Sequence, residues 1–124
     1  MRRLDSNIVI YATQPGNDWL RAQLFSQPFG VSVVTVVEVL GWHRITPQDK
    51  QDLAIFLNAG AKVAVTDAVV RLAVALRQQK KMSLGEIIIA ATALEYGCEL
   101  MIQNVEDFKH VSGIVVTDPF SANP

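Results

Sequence analysis

The sequence predicts an α/β/α sandwich with a central, mainly parallel sheet, formed by a single domain over residues 1–124. Short runs rich in β-branched residues alternate with longer segments of helical periodicity, which is the pattern of parallel strands joined by helices. Half of the 124 residues are hydrophobic and 19% are charged, so the chain can bury one core but is too short for two.

The predicted strands are short and rich in valine, isoleucine and leucine. The first strand ends at Leu4, and four further runs cover residues 30–34, 62–65, 100–103 and 114–117, of which 62–65 is the weakest. The β-branched residues 8–10 make the boundary between the first strand and the following helix ambiguous, because valine and isoleucine favour strands.

Helical periodicity predicts helices over residues 7–13, 36–44, 47–58, 67–79, 84–96 and 105–109. Pro47 suits the first turn of its helix because a proline there has no hydrogen bond to lose. Gly60 and Gly97 stand where helix C-caps are expected. Strands and helices therefore alternate along most of the chain, as the predicted fold requires.

Composition limits the classes of function. The formal net charge is −1, from 11 basic and 12 acidic residues, whereas proteins that bind nucleic acid are more often strongly basic. A local basic run, Arg77 with Lys80 and Lys81, is explained either by solvation at a helix end or by contact with phosphate. Cys98 is the single cysteine, so neither a disulfide nor a cysteine-based zinc site is predicted.

No apolar run is long enough for a membrane span, and Asp5 comes before any apolar stretch that would suit a signal peptide. The sequence therefore predicts a soluble protein of the cytoplasm that makes no membrane contact. The mean hydropathy of +0.25 is high for such a small domain. It indicates that a partner or a second copy of the chain covers some apolar surface.

Four carboxylates occupy similar places in the predicted fold. Asp5 ends the first strand, and the other three each follow a polar residue by three positions: Glu38 after Thr35, Glu86 after Ser83 and Asp107 after Asn104. In an open parallel sheet, the carboxyl ends of the strands and the starts of the next helices meet along one edge, where ligands bind. Oxygen ligands of this kind suit Mg²⁺ or Mn²⁺, ions that polarise a phosphodiester and activate water.

Helix capping explains the same spacing without a metal. The pairs Thr35/Glu38 and Ser83/Glu86 fit the capping box, in which the acid accepts a hydrogen bond from a free backbone N–H. Asp49 follows Thr46 at the same spacing although no strand precedes it, and we interpret Asp49 as a cap alone. Spacing therefore leaves both interpretations of the acids open.

The order of four sequence blocks resembles the PIN-domain family. Residues 4–12 begin Leu-Asp-Ser-Asn and continue as an apolar helix, similar to the family's opening Leu-Asp-Thr-Asn. Residues 32–40, which contain Glu38, resemble the second block. Residues 84–94 are similar to the third block, usually Asp-x-x-Ile-Ala-Ala-Thr-Ala, and residues 104–108 to the fourth, Asn-x-x-Asp-Phe. Together the blocks cover nearly the whole chain and are most similar to VapC-like toxins of type II toxin–antitoxin pairs.

This resemblance implies a magnesium-dependent endoribonuclease that hydrolyses RNA phosphodiesters and is restrained by a cognate antitoxin, in a chain expected to form a homodimer. Mg²⁺ is the implied cofactor, with Mn²⁺ as a substitute. The implied catalytic and metal-binding residues are Asp5, Glu38, Glu86 and Asp107. The implied supporting residues are Asn7, Thr35 and Asn104, the last of which would orient Asp107.

The chain departs from the family pattern near the implied site. Glu86 stands where aspartate is usual, and Ile102 and Gln103 stand where threonine and arginine are common. Ile102 removes a hydroxyl, and Gln103 removes a positive charge that would meet RNA phosphate. These departures leave a second hypothesis open, a PIN-fold interaction module with weak or lost catalysis. Trp42 is interpreted either as core or as part of a groove for a partner.

Overall fold

The computed structural model describes residues 1–121, and its centre is a sheet of five strands that pair in parallel throughout. The order across the sheet is β3-β2-β1-β4-β5. In chain order the strands are β1 (Arg2–Leu4), β2 (Phe29–Ser32), β3 (Ala61–Val63), β4 (Leu100–Met101) and β5 (Val116–Thr117). The predicted parallel sheet is confirmed, although the strands are shorter than the apolar runs that predict them.

The helices between the strands are α1 (Ser6–Ala12), α2 (Asp18–Phe25), α3 (Val33–Leu40), α4 (Pro47–Asn58), α5 (Asp67–Gln79) and α6 (Leu84–Tyr96). The predicted bounds of α4, α5 and α6 are confirmed. Residues Val105–Phe108 form a single 3₁₀ helix where an α-helix over 105–109 was expected.

Two hydrophobic cores lie on opposite faces of the sheet. Neighbouring residues of a strand point to opposite faces, and accordingly Met101 packs in the first core while Leu100 packs in the second. The first core takes its buried side chains from α1 to α4, and the second takes them from α5, α6 and the segment that includes Phe108. Helices therefore cover both faces, which confirms the predicted α/β/α sandwich.

Helix α3 begins three residues earlier than predicted. Its N-cap is Ser32, the last residue of β2, whose hydroxyl accepts a hydrogen bond from the Val34 N–H at 3.1 Å. The predicted helix 36–44 with Thr35 as its cap is therefore wrong, because the chain enters the helix directly from the strand. Thr35 lies inside the first turn, and Glu38 lies in the second turn.

Two further local predictions need correction. No helix is predicted from the sequence at 18–25, yet α2 forms there and fully buries Leu20 and Leu24, which are spaced one turn apart. Gly60 is not the C-cap of α4, since Ala59 takes that position. The ring of Phe29 occupies the space that a side chain at residue 60 would need. Gly97 does cap α6, with a left-handed φ of 61°.

Strand β1 buries two arginines at the start of the sheet. The Arg2 guanidinium donates hydrogen bonds to the carbonyl oxygens of Gln23 (3.0 Å) and Leu24 (3.2 Å), near the end of α2. The Arg3 guanidinium lies 5.2 Å from the centre of the Tyr96 ring. Its Nε and one terminal nitrogen are buried without a hydrogen-bond partner among residues 1–121. Nowhere in these residues is a helix long and apolar enough to cross a membrane.

Candidate active site

The carboxyl edge of the sheet contains a polar cleft of about 360 Å³, which we call the acidic cleft. The four acids singled out from the sequence all line it, together with Asn7 and Asn104. Their positions follow from the topology, because β1 leads into Asp5, β2 leads through α3 to Glu38, and β4 leads to Asp107. The complete lining is Asp5, Ser6, Asn7, Glu38, Ser83, Glu86, Ile102, Gln103, Asn104 and Asp107.

Asp5 is the most buried acid of the cleft, with 8% of the residue exposed. It is the N-cap of α1, and its Oδ2 accepts a hydrogen bond from the Asn7 N–H at 3.1 Å. Burial raises the pKa of Asp5 from 3.8 to about 6. Hydrogen bonds from the backbone of Asn7 and Ser6 lower this pKa, and the negative charges of Glu38 and Glu86 raise it. A buried carboxylate with two like-charged neighbours is stabilised by a bound cation.

Glu38 is held between α1 and the start of α6. The Ser6 hydroxyl donates a hydrogen bond of 2.7 Å to Glu38 Oε1. The Glu38 carboxylate also fills the space beside Gly85, where an added Cβ would lie 2.9 Å from Cδ and 3.0 Å from Oε1. Real Cβ atoms are rarely so close to a neighbour, so any larger residue at 85 would displace this carboxylate. Ser6 and Gly85 are not among the predicted site residues, and their only local signal in the sequence is that each adjoins a predicted acid.

Glu86 carries out the capping role that spacing suggested. Its Oε1 accepts hydrogen bonds from the Ser83 N–H at 3.4 Å and the Ser83 hydroxyl at 2.8 Å. In return, the Glu86 N–H donates to the Ser83 hydroxyl at 3.2 Å. The capping-box interpretation is therefore confirmed for Glu86. It is wrong for Glu38, because Ser32 rather than Thr35 caps α3.

Thr35 and Asn104, both expected to support the site, differ in position. Thr35 is fully buried, its hydroxyl has no hydrogen-bond partner within residues 1–121, and it does not line the acidic cleft. Asn104 does line the cleft, and its Nδ2 donates a hydrogen bond of 2.8 Å to Asp107 Oδ2. The structure therefore brings Asn104 to an acid, as expected, and leaves Thr35 in the core.

The donor set of the cleft is suited to a hard divalent cation. The four acids offer carboxylate oxygens, which are the ligands that Mg²⁺ and Mn²⁺ prefer. As they stand, however, no three histidine, cysteine, aspartate or glutamate side chains in the described part of the chain are arranged to hold one ion. Three of the carboxylates instead accept hydrogen bonds from neighbouring side chains, Glu38 from Ser6, Glu86 from Ser83 and Asp107 from Asn104.

An apolar groove of about 410 Å³ adjoins the acidic cleft, and we call it the Trp42 groove. Trp42 is 53% exposed, so the interpretation of this residue as core is wrong. Glu38 lines both cavities. The complete lining of the groove is Ile10, Thr13, Gln14, Pro15, Glu38, Val39, Trp42, Ile45, Asp49 and Leu53.

The parallel sheet with helices on both faces makes this an α/β protein, and its acid-lined cleft lies at the carboxyl edge, where open α/β sheets bind ligands. The chain belongs to the PIN-domain family, since the family model described as "PIN domain" matches residues 3–114. No curated protein matches the chain by sequence.

Solved structures of toxin–antitoxin proteins share the fold of this chain over nearly its whole length. A toxin–antitoxin complex from Klebsiella pneumoniae contains a chain that is 27% identical, with a TM-score of 0.78 over 96% of this chain and 98% of that one. The chain also resembles VapBC2 from Rickettsia felis bound to a DNA fragment from its promoter, at 18% identity and a TM-score of 0.83, covering 94% and 96% of the two chains. A third match is FitAcB from Neisseria gonorrhoeae, at 20% identity and a TM-score of 0.79, covering 97% and 99%.

Proposed function

We propose that the protein is a metal-dependent endoribonuclease that hydrolyses RNA phosphodiesters and acts as the toxin of a toxin–antitoxin pair. The observation that carries the proposal is the meeting of four acids in one cleft, around a buried Asp5 whose pKa is raised to about 6. A carboxylate with a perturbed pKa in an acid-lined cleft is typical of active sites. Membership of the PIN-domain family supports the same conclusion.

In this proposal the cation is held by Asp5, Glu38, Glu86 and Asp107. Neighbouring residues hold two of these acids in position. When bound, Mg²⁺ or Mn²⁺ supplies charge neutralisation at the phosphodiester and activation of water. Ser6 holds Glu38 at the cleft through its 2.7 Å hydrogen bond, and Asn104 holds Asp107 through its 2.8 Å hydrogen bond. Burial of Asp5 makes its carboxylate a strong ligand because water solvates it poorly.

The test is cleavage of a mixed RNA substrate in Mg²⁺ or Mn²⁺ by the wild type, Asp5→Asn and Glu86→Asp. We expect cleavage that requires the metal and falls to background in Asp5→Asn. Asp49→Asn is the matched control, because Asp49 lies at the start of α4 outside the acidic cleft, and it should cut at the wild-type rate. A faster Glu86→Asp would show that the longer glutamate compromises the metal site.

A second candidate function is a PIN-fold interaction module without catalysis. It is favoured by the capping box of Glu86 and by the lack, within residues 1–121, of three acids arranged around one ion. Calorimetry separates the two functions, because a carboxylate that only caps a helix has no need of a metal. If the folded protein binds neither Mg²⁺ nor Mn²⁺, and neither the wild type nor Glu86→Asp cuts RNA, the interaction module replaces the nuclease.

The proposed protein partner is an antitoxin whose segment covers the acidic cleft and the Trp42 groove. The toxin–antitoxin complex from Klebsiella pneumoniae supports this choice. The groove has apolar walls with Glu38 and Asp49 in its lining, so a segment that combines apolar and basic side chains would match it. Expression of the chain alone should arrest growth, whereas co-expression of the antitoxin should restore it. Asp5→Asn expressed alone should be harmless.

We also propose that the protein is a cytoplasmic homodimer. Two pairs of exposed valines, spaced one turn apart, support association: Val33 and Val37 on α3, and Val70 and Val74 on α5. Val37 is 71% exposed and Val74 is 54% exposed, which is unfavourable in water. Sedimentation of the wild type should give twice the monomer mass, and Val37→Lys together with Val74→Lys should reduce it to the monomer.

A further inference from the structure

A second cleft of about 440 Å³ continues from the acidic cleft, and we call it the lysine cleft. Ser83, Glu86 and Asp107 line both clefts, so the two form one continuous depression. The remaining wall of the lysine cleft is the connection between α5 and α6, which contributes Lys80, Lys81 and Met82. Positive side chains therefore stand directly beside the proposed catalytic acids.

We infer that Lys80 and Lys81 bind two successive backbone phosphates on one side of the scissile phosphate, so that single-stranded RNA enters the acidic cleft from the lysine cleft. This inference rests on the proposed ribonuclease function and names the side from which its substrate is held. The sequence leaves two interpretations of the basic run near the end of α5, solvation at a helix end or contact with phosphate. For Lys80 and Lys81 this inference selects contact with phosphate.

The charges of Lys80 and Lys81 are available to a ligand. Both residues are exposed, and neither takes part in a salt bridge or side-chain hydrogen bond with any residue of the described chain. Lys109 offers a contrast, because its Nζ lies 2.8 Å from Glu106 Oε1 and its charge is already compensated. Lysine binds phosphate as a flexible point charge, which suits a backbone contact that does not depend on base sequence.

The lining of the acidic cleft itself offers RNA no such charge. Among residues 1–121, it contains no lysine or arginine, and Ile102 and Gln103 in this lining are uncharged. Four acids in the cleft repel a polyanion unless cations are placed nearby, so the lysine cleft is the favourable approach. Each cleft has the volume of a small-molecule site, which accommodates an unpaired nucleotide better than a duplex.

The test is the salt dependence of RNA binding, read by fluorescence anisotropy of a labelled single-stranded RNA. Ca²⁺ replaces Mg²⁺, since it also binds carboxylate oxygens but with a longer and less regular geometry, and this separates binding from cleavage. Lys80→Gln with Lys81→Gln is compared with the wild type. The matched control is Lys50→Gln with Arg71→Gln, which removes the same charge from exposed positions outside both clefts.

Each phosphate contact on single-stranded nucleic acid contributes about 0.7 to the slope of log Kd against log salt. The lysine variant should therefore lose about 1.4 of this slope. Between 50 and 200 mM salt, its affinity should then fall about sevenfold less than that of the wild type. The control variant should keep the wild-type slope, and Lys80→Arg with Lys81→Arg should keep it too, because arginine retains the charge.

The outcomes separate this inference from the proposed function. An unchanged slope in the lysine variant, or an equal loss in the control variant, overturns the inference even if the wild type cuts RNA. The expected loss of slope in a protein that never cuts RNA supports the binding surface and overturns the nuclease. A wild type that binds no RNA overturns both.

Discussion

Replacing Asp5 by asparagine should make the metal-free protein more stable while it abolishes activity. Burial and the charges of Glu38 and Glu86 raise the pKa of Asp5 from 3.8 to about 6. The folded protein therefore binds this proton more tightly than the unfolded chain does, and ionisation of Asp5 lowers the free energy of unfolding. Asparagine carries no charge, and its side-chain oxygen still accepts the N-cap hydrogen bond from the Asn7 N–H, since asparagine caps as well as aspartate.

The size of the effect follows from the two pKa values. A rise from 3.8 to about 6 corresponds to about 3 kcal/mol at 1.36 kcal/mol per pKa unit. The cost is complete well above pH 6, decreases as the pH falls from about 6 towards 4, and vanishes below both pKa values. Asp5→Asn should thus exceed the wild type by up to about 3 kcal/mol at pH 8 and by little at pH 4.

Urea unfolding in EDTA at both pH values measures this difference. Asp49→Asn serves as the control, because Asp49 is an exposed acid in the first turn of α4 and should gain no stability when neutralised. Mg²⁺ should then stabilise the wild type and leave Asp5→Asn unchanged, since binding to the folded state alone raises the free energy of unfolding. A wild type more stable than Asp5→Asn at pH 8 without metal would refute the argument that desolvation dominates at Asp5.

Three further substitutions test neighbouring features. Glu86→Gln should remove cleavage yet keep the free energy of unfolding within about 0.5 kcal/mol, since glutamine also completes a capping box with Ser83. A large loss of stability in urea unfolding would contradict this role. Asn104→Ala should lower kcat about fivefold with an unchanged KM for RNA, because Asp107 loses a hydrogen bond of about 1 kcal/mol. A change in KM alone would show that Asn104 acts in RNA binding instead. Arg3→Met should raise the free energy of unfolding by about 1 kcal/mol, because it removes buried, unpaired nitrogens. A loss of stability would show that the Arg3 guanidinium interacts favourably in the core.

Local signals account for the parts of the fold that the sequence predicted well. Helices α5 and α6 begin after Thr66 and Ser83, whose hydroxyls accept hydrogen bonds from the first turn, and α6 ends at Gly97. The start of α3 was predicted wrongly because Ser32 and Thr35 are both able to cap a helix. The choice between them depends on where β2 ends, which is decided by pairing with distant strands.

The acids of the candidate site could be predicted from the sequence because a parallel sheet brings the ends of its strands to one edge. Strand ends and helix starts locate the four acids, and the parallel sheet brings them to a single cleft. Contacts between elements have no local signal. The Ser6 hydrogen bond to Glu38 and the space that Gly85 leaves for the same carboxylate join segments far apart in sequence, and they become visible only after the helices have packed.

Because Glu38 belongs to the walls of both the acidic cleft and the Trp42 groove, ligands that engage it from the two cavities would be thermodynamically linked. A peptide that engages Glu38 from the groove and a cation that engages it from the cleft compete for one carboxylate. By linkage, each then weakens the binding of the other by the same factor. The affinity of such a peptide would depend on the concentration of divalent ions. Inhibition by the peptide and occupancy of the metal site would therefore be coupled, and a change in one would change the other.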